Sequence, residues 1–155
     1  MARIIAVVNQ KGGVGKTTST VNISATLHEM GQRVLLCDFD PQANATSGMG
    51  VDKNTASPNI YDVLVNGADP KKAVVKTKYG DVLPSNKVLA GAGIEMIAIP
   101  NREKLLKNAL DALSPTMTIF SSTVPPLWSC SPSTPCAPQV PCWCPCSAST
   151  TLWKV

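Results

Sequence analysis

Two lysines, two threonines and three glycines crowd into eight positions, Lys11-Gly12-Gly13-Val14-Gly15-Lys16-Thr17-Thr18. Ammonium groups, hydroxyls and peptide N–H groups on a backbone without side chains form a donor set for one anion. An apolar run, Ile4-Ile5-Ala6-Val7-Val8, precedes the loop, and a helical pattern follows it. Glycine lets the backbone curl so that successive N–H groups point inward. A helix starting there adds the positive end of its dipole. Strand, glycine-rich turn and helix is the context in which such a loop binds phosphate. Lys16 then reaches the β- and γ-phosphates of a nucleotide, and the Thr17 hydroxyl ligates Mg²⁺. The usual pattern is G-x-x-x-x-G-K-[ST]. Here Gln10 stands at the first glycine position and an additional lysine, Lys11, opens the loop.

Two carboxylates form the second candidate group. Val34-Leu35-Leu36-Cys37 is apolar throughout and reads as a buried parallel strand. It runs into Asp38-Phe39-Asp40-Pro41-Gln42-Ala43-Asn44-Ala45-Thr46. Carboxylates at the carboxyl end of a parallel strand lie at the ligand crevice of an open α/β sheet. Alternate strand residues share a face, so Asp38 and Asp40 are expected to point the same way until Pro41 turns the chain. Two carboxylates there suit Mg²⁺-bound water and the positioning of an attacking water.

The elements that must hold these groups are legible in outline. Thr17 to Met30 reads as a helix with Val21, Ile23, Ala25 and Leu27 as its apolar face and Gly31 as its C-cap. His28, near that helix end, reads as solvated and carries no chemistry. Pro58 to Leu64 reads as a short helix, and Asp69 to Val74 as another with proline in its first turn. Asp81 to Ser85 reads as a strand ending at the same face as the phosphate loop. Lys87 to Ile99 is helix-prone, softened by Gly91 and Gly93. Asn101 to Leu113 is amphipathic, with Leu105, Leu106, Ala109, Leu110 and Leu113 opposite Arg102, Glu103, Lys104 and Lys107. Lysines 71, 72, 76 and 78 read as a solvated basic face, with contact to DNA as the competing reading. A length of 155 residues allows one domain, and a formal charge of +4 is too mild to argue for nucleic acid. No transmembrane-length run or signal-peptide pattern occurs, and the amino-terminal part reads as a cytoplasmic enzyme.

With its early lysine, the phosphate loop resembles the deviant Walker A motif of the ParA/MinD ATPases. The run D-x-D-P-Q-x-N-x-T is similar to the ParA/Soj branch, which partitions chromosomes and plasmids, and Leu83-Pro84-Ser85-Asn86 is similar to that family's L-P-S-N segment. MinD-type relatives, which work on membranes, usually lack the Pro-Gln pair. The resemblance implies an α/β fold, a P-loop NTPase-type parallel sheet with flanking helices, binding ATP and Mg²⁺. It implies that Lys11 reaches the nucleotide of a partner subunit and that Lys16 acts on the phosphates. Gly12, Gly13, Val14, Gly15 and Thr18 would line the phosphates, Thr17 and Asp38 would serve the metal, and Asp40 would orient the hydrolytic water. It further implies an ATP-bridged homodimer that binds DNA non-specifically, a ParB-like partner that stimulates hydrolysis, no membrane, and a cytoplasmic, nucleoid-associated location. The alternatives are a MinD-like ATPase of division-site placement and a non-enzymatic, thiol-rich metal-binding protein.

Near Ser114 the chain changes character. From Pro115 to Val155 the one charged residue is Lys154, while eight of thirteen prolines, five of six cysteines and all three tryptophans fall there. That composition divides the chain into residues 1–114, the front part of a ParA-type ATPase domain, and a tail, 115–155. The tail lacks the paired C-x-x-C spacing of zinc ribbons and is too rich in cysteine and tryptophan for an ordinary linker. A shifted reading frame accounts for it. One base placed ahead of the codons for Thr116 onward lets synonymous choices read Y-Y-D-Y-I-F-I-D-C-P-P-S-L. The same operation from Cys142 reads V-L-V-P-V-Q-C-E-Y-Y-A-L-E-G. Both strings look like the continuation of a ParA/Soj chain, a strand carrying the second metal-site aspartate among them. Without that strand, three strands are expected, too few to bury both faces of a parallel sheet. The chain as translated is therefore expected to be incomplete, unstable and weakly active or inactive, with a non-native or disordered tail.

Overall fold

The computed structural model describes residues 3–8, 13–113, 118–122 and 151–154. Strand β1 (Arg3–Val8) leads to helix α1 (Lys16–Glu29) and strand β2 (Val34–Asp38). Four short helices follow, interrupted by a hairpin: α2 (Asn44–Gly48), α3 (Ile60–Leu64), α4 (Pro70–Ala73), β3 (Val75–Thr77), β4 (Gly80–Leu83) and α5 (Leu89–Glu95). Helix α5 tightens into a 3₁₀ turn, Met96–Ala98, before α6 (Arg102–Leu113). Strands β5 (Thr118–Ser122) and β6 (Thr151–Lys154) complete the described elements.

The six strands lie in the order β3-β4-β2-β5-β1-β6. The inner four run parallel, and β3 and β6 flank them antiparallel. The α/β class with flanking helices thus holds, with a mixed rather than purely parallel sheet. The expectation of three strands does not. Ile4–Val8, Val34–Cys37 and Asp81–Ser85 correspond to β1, β2 and β4, and three further strands join them. The largest departure is β5, which pairs with β1 on one side and β2 on the other. Its Thr-Ile-Phe start favours extended backbone, but its place comes from pairing on both edges, which periodicity does not register. The hairpin strand β3 and the edge strand β6, at 3 and 4 residues, are too short to carry a period. The remainder of the tail, with Pro125–Trp128 and all five of its cysteines, lies outside the described residues.

Strand β2 is buried along its whole length. Alternation along it divides the core. Leu35 and Cys37, with Leu83, join a cluster built by Ile60, Val63 and Leu64 of α3, Leu89 and Ala92 of α5, and Ala109 and Leu113 of α6. Leu36 and Val82 face the other way, onto Ala45 and Met49, with Val21 of α1 packed alongside. Each fully buried leucine contributes about 1.5–3 kcal/mol relative to exposure. The amphipathic reading of 101–113 holds, since Leu105, Leu106 and Leu110 pack on the first cluster beside Ala109 and Leu113.

Helix α1 buries a different face from the one its hydrophobic residues suggest. Its fully buried positions are Thr20 and Ser24, one turn apart, whereas Val21, Ile23, Ala25 and Leu27 are only partly covered. Small side chains bring the helix close to its neighbours, and Thr20 satisfies its hydroxyl on the Lys16 carbonyl at 2.9 Å. The same closeness appears at Gly48, where an added Cβ would meet Val21 Cγ2 at 3.1 Å. The C-terminus ends as expected at Gly31, left-handed at φ 78. Gly31 N–H donates to His28 C=O and Gln32 N–H to Leu27 C=O, which caps the last carbonyls.

Candidate functional site

Parallel strands β1, β2 and β4 all discharge their loops at one edge of the sheet. In an open α/β sheet that carboxyl edge is where ligands bind. Ser122 pairs with Val7 and with Asp38, so the ends of β1, β5 and β2 stand level.

The loop after β1 enters α1 through two left-handed glycines, Gly13 at φ 70 and Gly15 at φ 82. Among the described residues, a Cβ at either would meet nothing within 4 Å, so these glycines answer to backbone conformation. Gly15 is the N-cap of α1 and supplies no side-chain cap, and no acidic residue lies in the first turn. The first N–H groups of a helix have no intrahelical acceptor. An anion therefore meets donors here that no carboxylate of the helix has neutralised. Lys16 and Thr17, both partly buried, form the first positions of α1, with Val14 and Thr18 exposed beside them. The residues present fit a nucleotide phosphate with its magnesium ion. Lys11 and Gly12 lie outside the described residues.

The loop after β2 is held by its own first carboxylate. Asp38 is fully buried. Its Oδ1 accepts the Asp40 N–H at 3.1 Å, and its Oδ2 accepts both the N–H and the hydroxyl of Thr46 at 2.8 Å. The Thr46 hydroxyl in turn accepts the Ser85 N–H at 3.0 Å. Asp40 is only half-buried, and its Oδ1 accepts the Gln42 N–H at 2.9 Å. Lys53 Nζ braces the same turn by donating to the Gln42 carbonyl at 2.8 Å. The two carboxylates thus differ in solvent access, a difference that strand alternation does not reveal. Burial, reinforced by the neighbouring Asp38 charge, pushes the Cys37 thiol far above its ordinary range.

The structure therefore joins Asp38, Asp40, Thr46 and Ser85 into one network at the edge that the phosphate loop also leaves. Thr46 and Ser85 lie within the D-x-D-P-Q-x-N-x-T and L-P-S-N segments, where residue type alone marks neither for a role. The available signal was a hydroxyl eight residues after a strand-end carboxylate. Lys71, Lys72, Lys76 and Lys78 are exposed on α4, the edge strand β3 and its turn. Lys78 lies 4.7 Å from the Tyr79 ring centre. Lysines on an edge strand discourage pairing with other chains, which is the bland account of this group. Among the described residues, no three His, Cys, Asp or Glu side chains come together as a metal site, and no helix is long and apolar enough to cross a membrane.

Comparison with known proteins adds four matches. Residues 2–129 match the family model described as AAA domain. The sporulation initiation inhibitor protein Soj of Bacillus subtilis is 46% identical over 128 residues, covering 81% of this chain and 51% of Soj. The chromosome partitioning protein ParA of Caulobacter vibrioides is 42% identical over 113 residues, covering 72% of this chain and 42% of ParA. Among solved structures, cobyrinic acid a,c-diamide synthase from Mycobacterium smegmatis, with bound ADP and magnesium, superposes with a TM-score of 0.73 at 41% identity. That match covers 77% of this chain and 50% of the synthase. The chain spans about half the length of the curated relatives it matches.

Proposed function

The chain belongs to the AAA domain family and is homologous to Soj and ParA, and from that premise we propose that it is the front part of a ParA/Soj-like partition ATPase. One observation carries the reading: a left-handed glycine turn delivers Lys16 and Thr17 to an uncapped helix start, at the sheet edge where Asp38 and Asp40 emerge. In this reading bound Mg-ATP supplies the phosphoanhydride bond and its charge neutralisation. Lys16 holds the phosphates, with Gly12, Gly13, Val14, Gly15 and Thr18 around them. Thr17 and Asp38 hold the metal shell, Asp40 orients water, and Lys11 acts across a dimer. DNA binding by that dimer rests on phosphate neutralisation and weakens steeply with salt. A ParB-like partner would stimulate hydrolysis.

The reading extends to the coding sequence, in which residues 115–155 are an out-of-frame translation. In the other frame, Y-Y-D-Y-I-F-I-D falls on codons 116–123. Its apolar stretch coincides with β5, and its last aspartate follows Ser122, which is level with Asp38. That coincidence supports the shifted frame. It also makes this chain a weak hydrolase or an inactive one.

The test compares this chain, its Lys16→Ala variant and a frame-restored chain. Magnesium-dependent binding of a fluorescent ATP analogue is expected in the first and third and absent from the variant. Hydrolysis is expected to rise about a hundredfold or more on restoring the frame, the order of magnitude of one electrostatic stabiliser. A Lys16→Ala variant that binds Mg-ATP like its parent would overturn the nucleotide reading. Sequencing the gene across codons 105–125 decides the frame directly.

A further inference from the structure

The loop from Asp38 to Thr46 is held in a conformation that one of its own residues resists. Ala43 is left-handed at φ 52 and fully buried. That region costs a residue with a Cβ on the order of 1 kcal/mol or more and persists where the surroundings impose it. Both ends of the loop meet on one carboxylate, since Asp38 accepts from Asp40 at the near end and from Thr46 at the far end. A hydroxyl has a single proton. Thr46 gives its proton to Asp38 and presents a lone pair to the Ser85 N–H. Asp38, Thr46 and Ser85 are all 0% exposed, so no water competes for these bonds. Through Thr46 and Ser85, 39 positions apart in the chain, one hydroxyl therefore joins the loop after β2 to the loop after β4.

We propose that Thr46 is a positioning residue for the nucleotide site: its hydroxyl sets the orientation of Asp38 and the height of the Asp40 turn against the β4 exit loop. The proposal rests on the partition-ATPase reading for its consequence, though not for its geometry. The competing account is that Thr46 merely fills space between α2 and the sheet. Valine separates the two, because it keeps the shape of threonine and removes the hydroxyl. It leaves the Ser85 N–H without its acceptor and takes one donor from a buried carboxylate. Serine keeps the hydroxyl and loses the methyl group.

The test uses the full chain with Thr46→Val and Thr46→Ser. Amide hydrogen exchange at Asp40, Thr46 and Ser85 is measured without ligand. Affinity for N-methylanthraniloyl-ATP is measured with and without Mg²⁺. The valine variant is expected to speed exchange at Ser85 and Asp40 about tenfold, and to cut the magnesium enhancement of affinity about tenfold, with serine within about threefold of the parent. A valine variant that matches the parent in both readouts overturns the proposal. So does a serine variant that falls as far as valine, because packing by the methyl group would then be the cause. If the parent itself binds no nucleotide, the functional reading fails alone, and the exchange comparison still decides the role of the hydroxyl. If the valine variant does not melt cooperatively, the parent suffices: a Ser85 amide that exchanges freely overturns the proposal, and one that is protected and stays so in Thr46→Ser sustains it.

Discussion

Asp38 turns its carboxylate back on Asp40, accepting the Asp40 amide on Oδ1 at 3.1 Å while remaining fully buried itself. Two acids that look equivalent in the motif are thereby given different surroundings. Removing the buried carboxylate strands the donors of Asp40 and Thr46. Asp38→Ala is accordingly expected to destabilise the fold by about 3 kcal/mol, since each buried donor left without its acceptor costs about 1–3 kcal/mol. Asp40→Ala, at a half-buried turn, is expected to cost less than about 1 kcal/mol. Urea denaturation of both variants measures the contrast. Equal losses would mean that the buried network around Asp38 is not what holds this loop.

Gly31 and Gly48 are expected to resist substitution for different reasons. Gly31 caps α1 at φ 78 with no described neighbour within 4 Å of an added Cβ, so alanine there meets backbone strain of about 1 kcal/mol. Gly48 lacks that constraint and instead lies against Val21, 3.1 Å from an added Cβ. Overpacking of that kind costs about 1–3 kcal/mol. Val21→Ala is expected to recover part of the Gly48→Ala loss and none of the Gly31→Ala loss, as read from a double-mutant cycle of thermal melts.

Cys37 is expected to be chemically silent in the folded chain. Burial and the adjacent Asp38 charge hold its thiol protonated far above its ordinary range, and the thiolate is the reactive form. Maleimide labelling at neutral pH, followed by mass spectrometry of the peptide containing Cys37, should find it unmodified until denaturant is added. Rapid labelling under native conditions would show that β2 opens.

Alkaline pH should act on the contact between α3 and α5. The Tyr61 hydroxyl donates to Glu95 Oε2 at 2.6 Å. That hydrogen bond, with some desolvation, raises the phenol above its ordinary value of 10.0. The folded chain holds this proton more tightly than the unfolded chain does. The stabilisation is therefore full below pH 10.0 and fades as pH rises through the higher folded value. In a tyrosinate absorbance titration, Tyr61→Phe should remove the later-rising part. Glu95→Gln should bring that part to lower pH.

Local patterns in the sequence determined the parts of this protein that depend on neighbours in the chain. The phosphate loop needs glycines at left-handed positions, and Gly13 and Gly15 occupy them. An unbroken apolar run before Asp38 specifies a strand covered on both faces, and β2 is one. Helix α6 follows its leucine spacing. The capping box of Asn59 and Asp62 starts α3 within the stretch read as helical. Tertiary structure alone decided the rest. Thr118–Ser122 became the strand between β1 and β2 because two open parallel edges were available to it. The buried face of α1 became Thr20 and Ser24 because close approach favoured small side chains over apolar ones. The different surroundings of Asp38 and Asp40 came from Thr46, which donates to Asp38 and accepts the Ser85 N–H, partners that meet only once α2 and β4 have packed. Periodicity records which way a residue faces, whereas the partner it meets there depends on distant segments whose pairing leaves no local period.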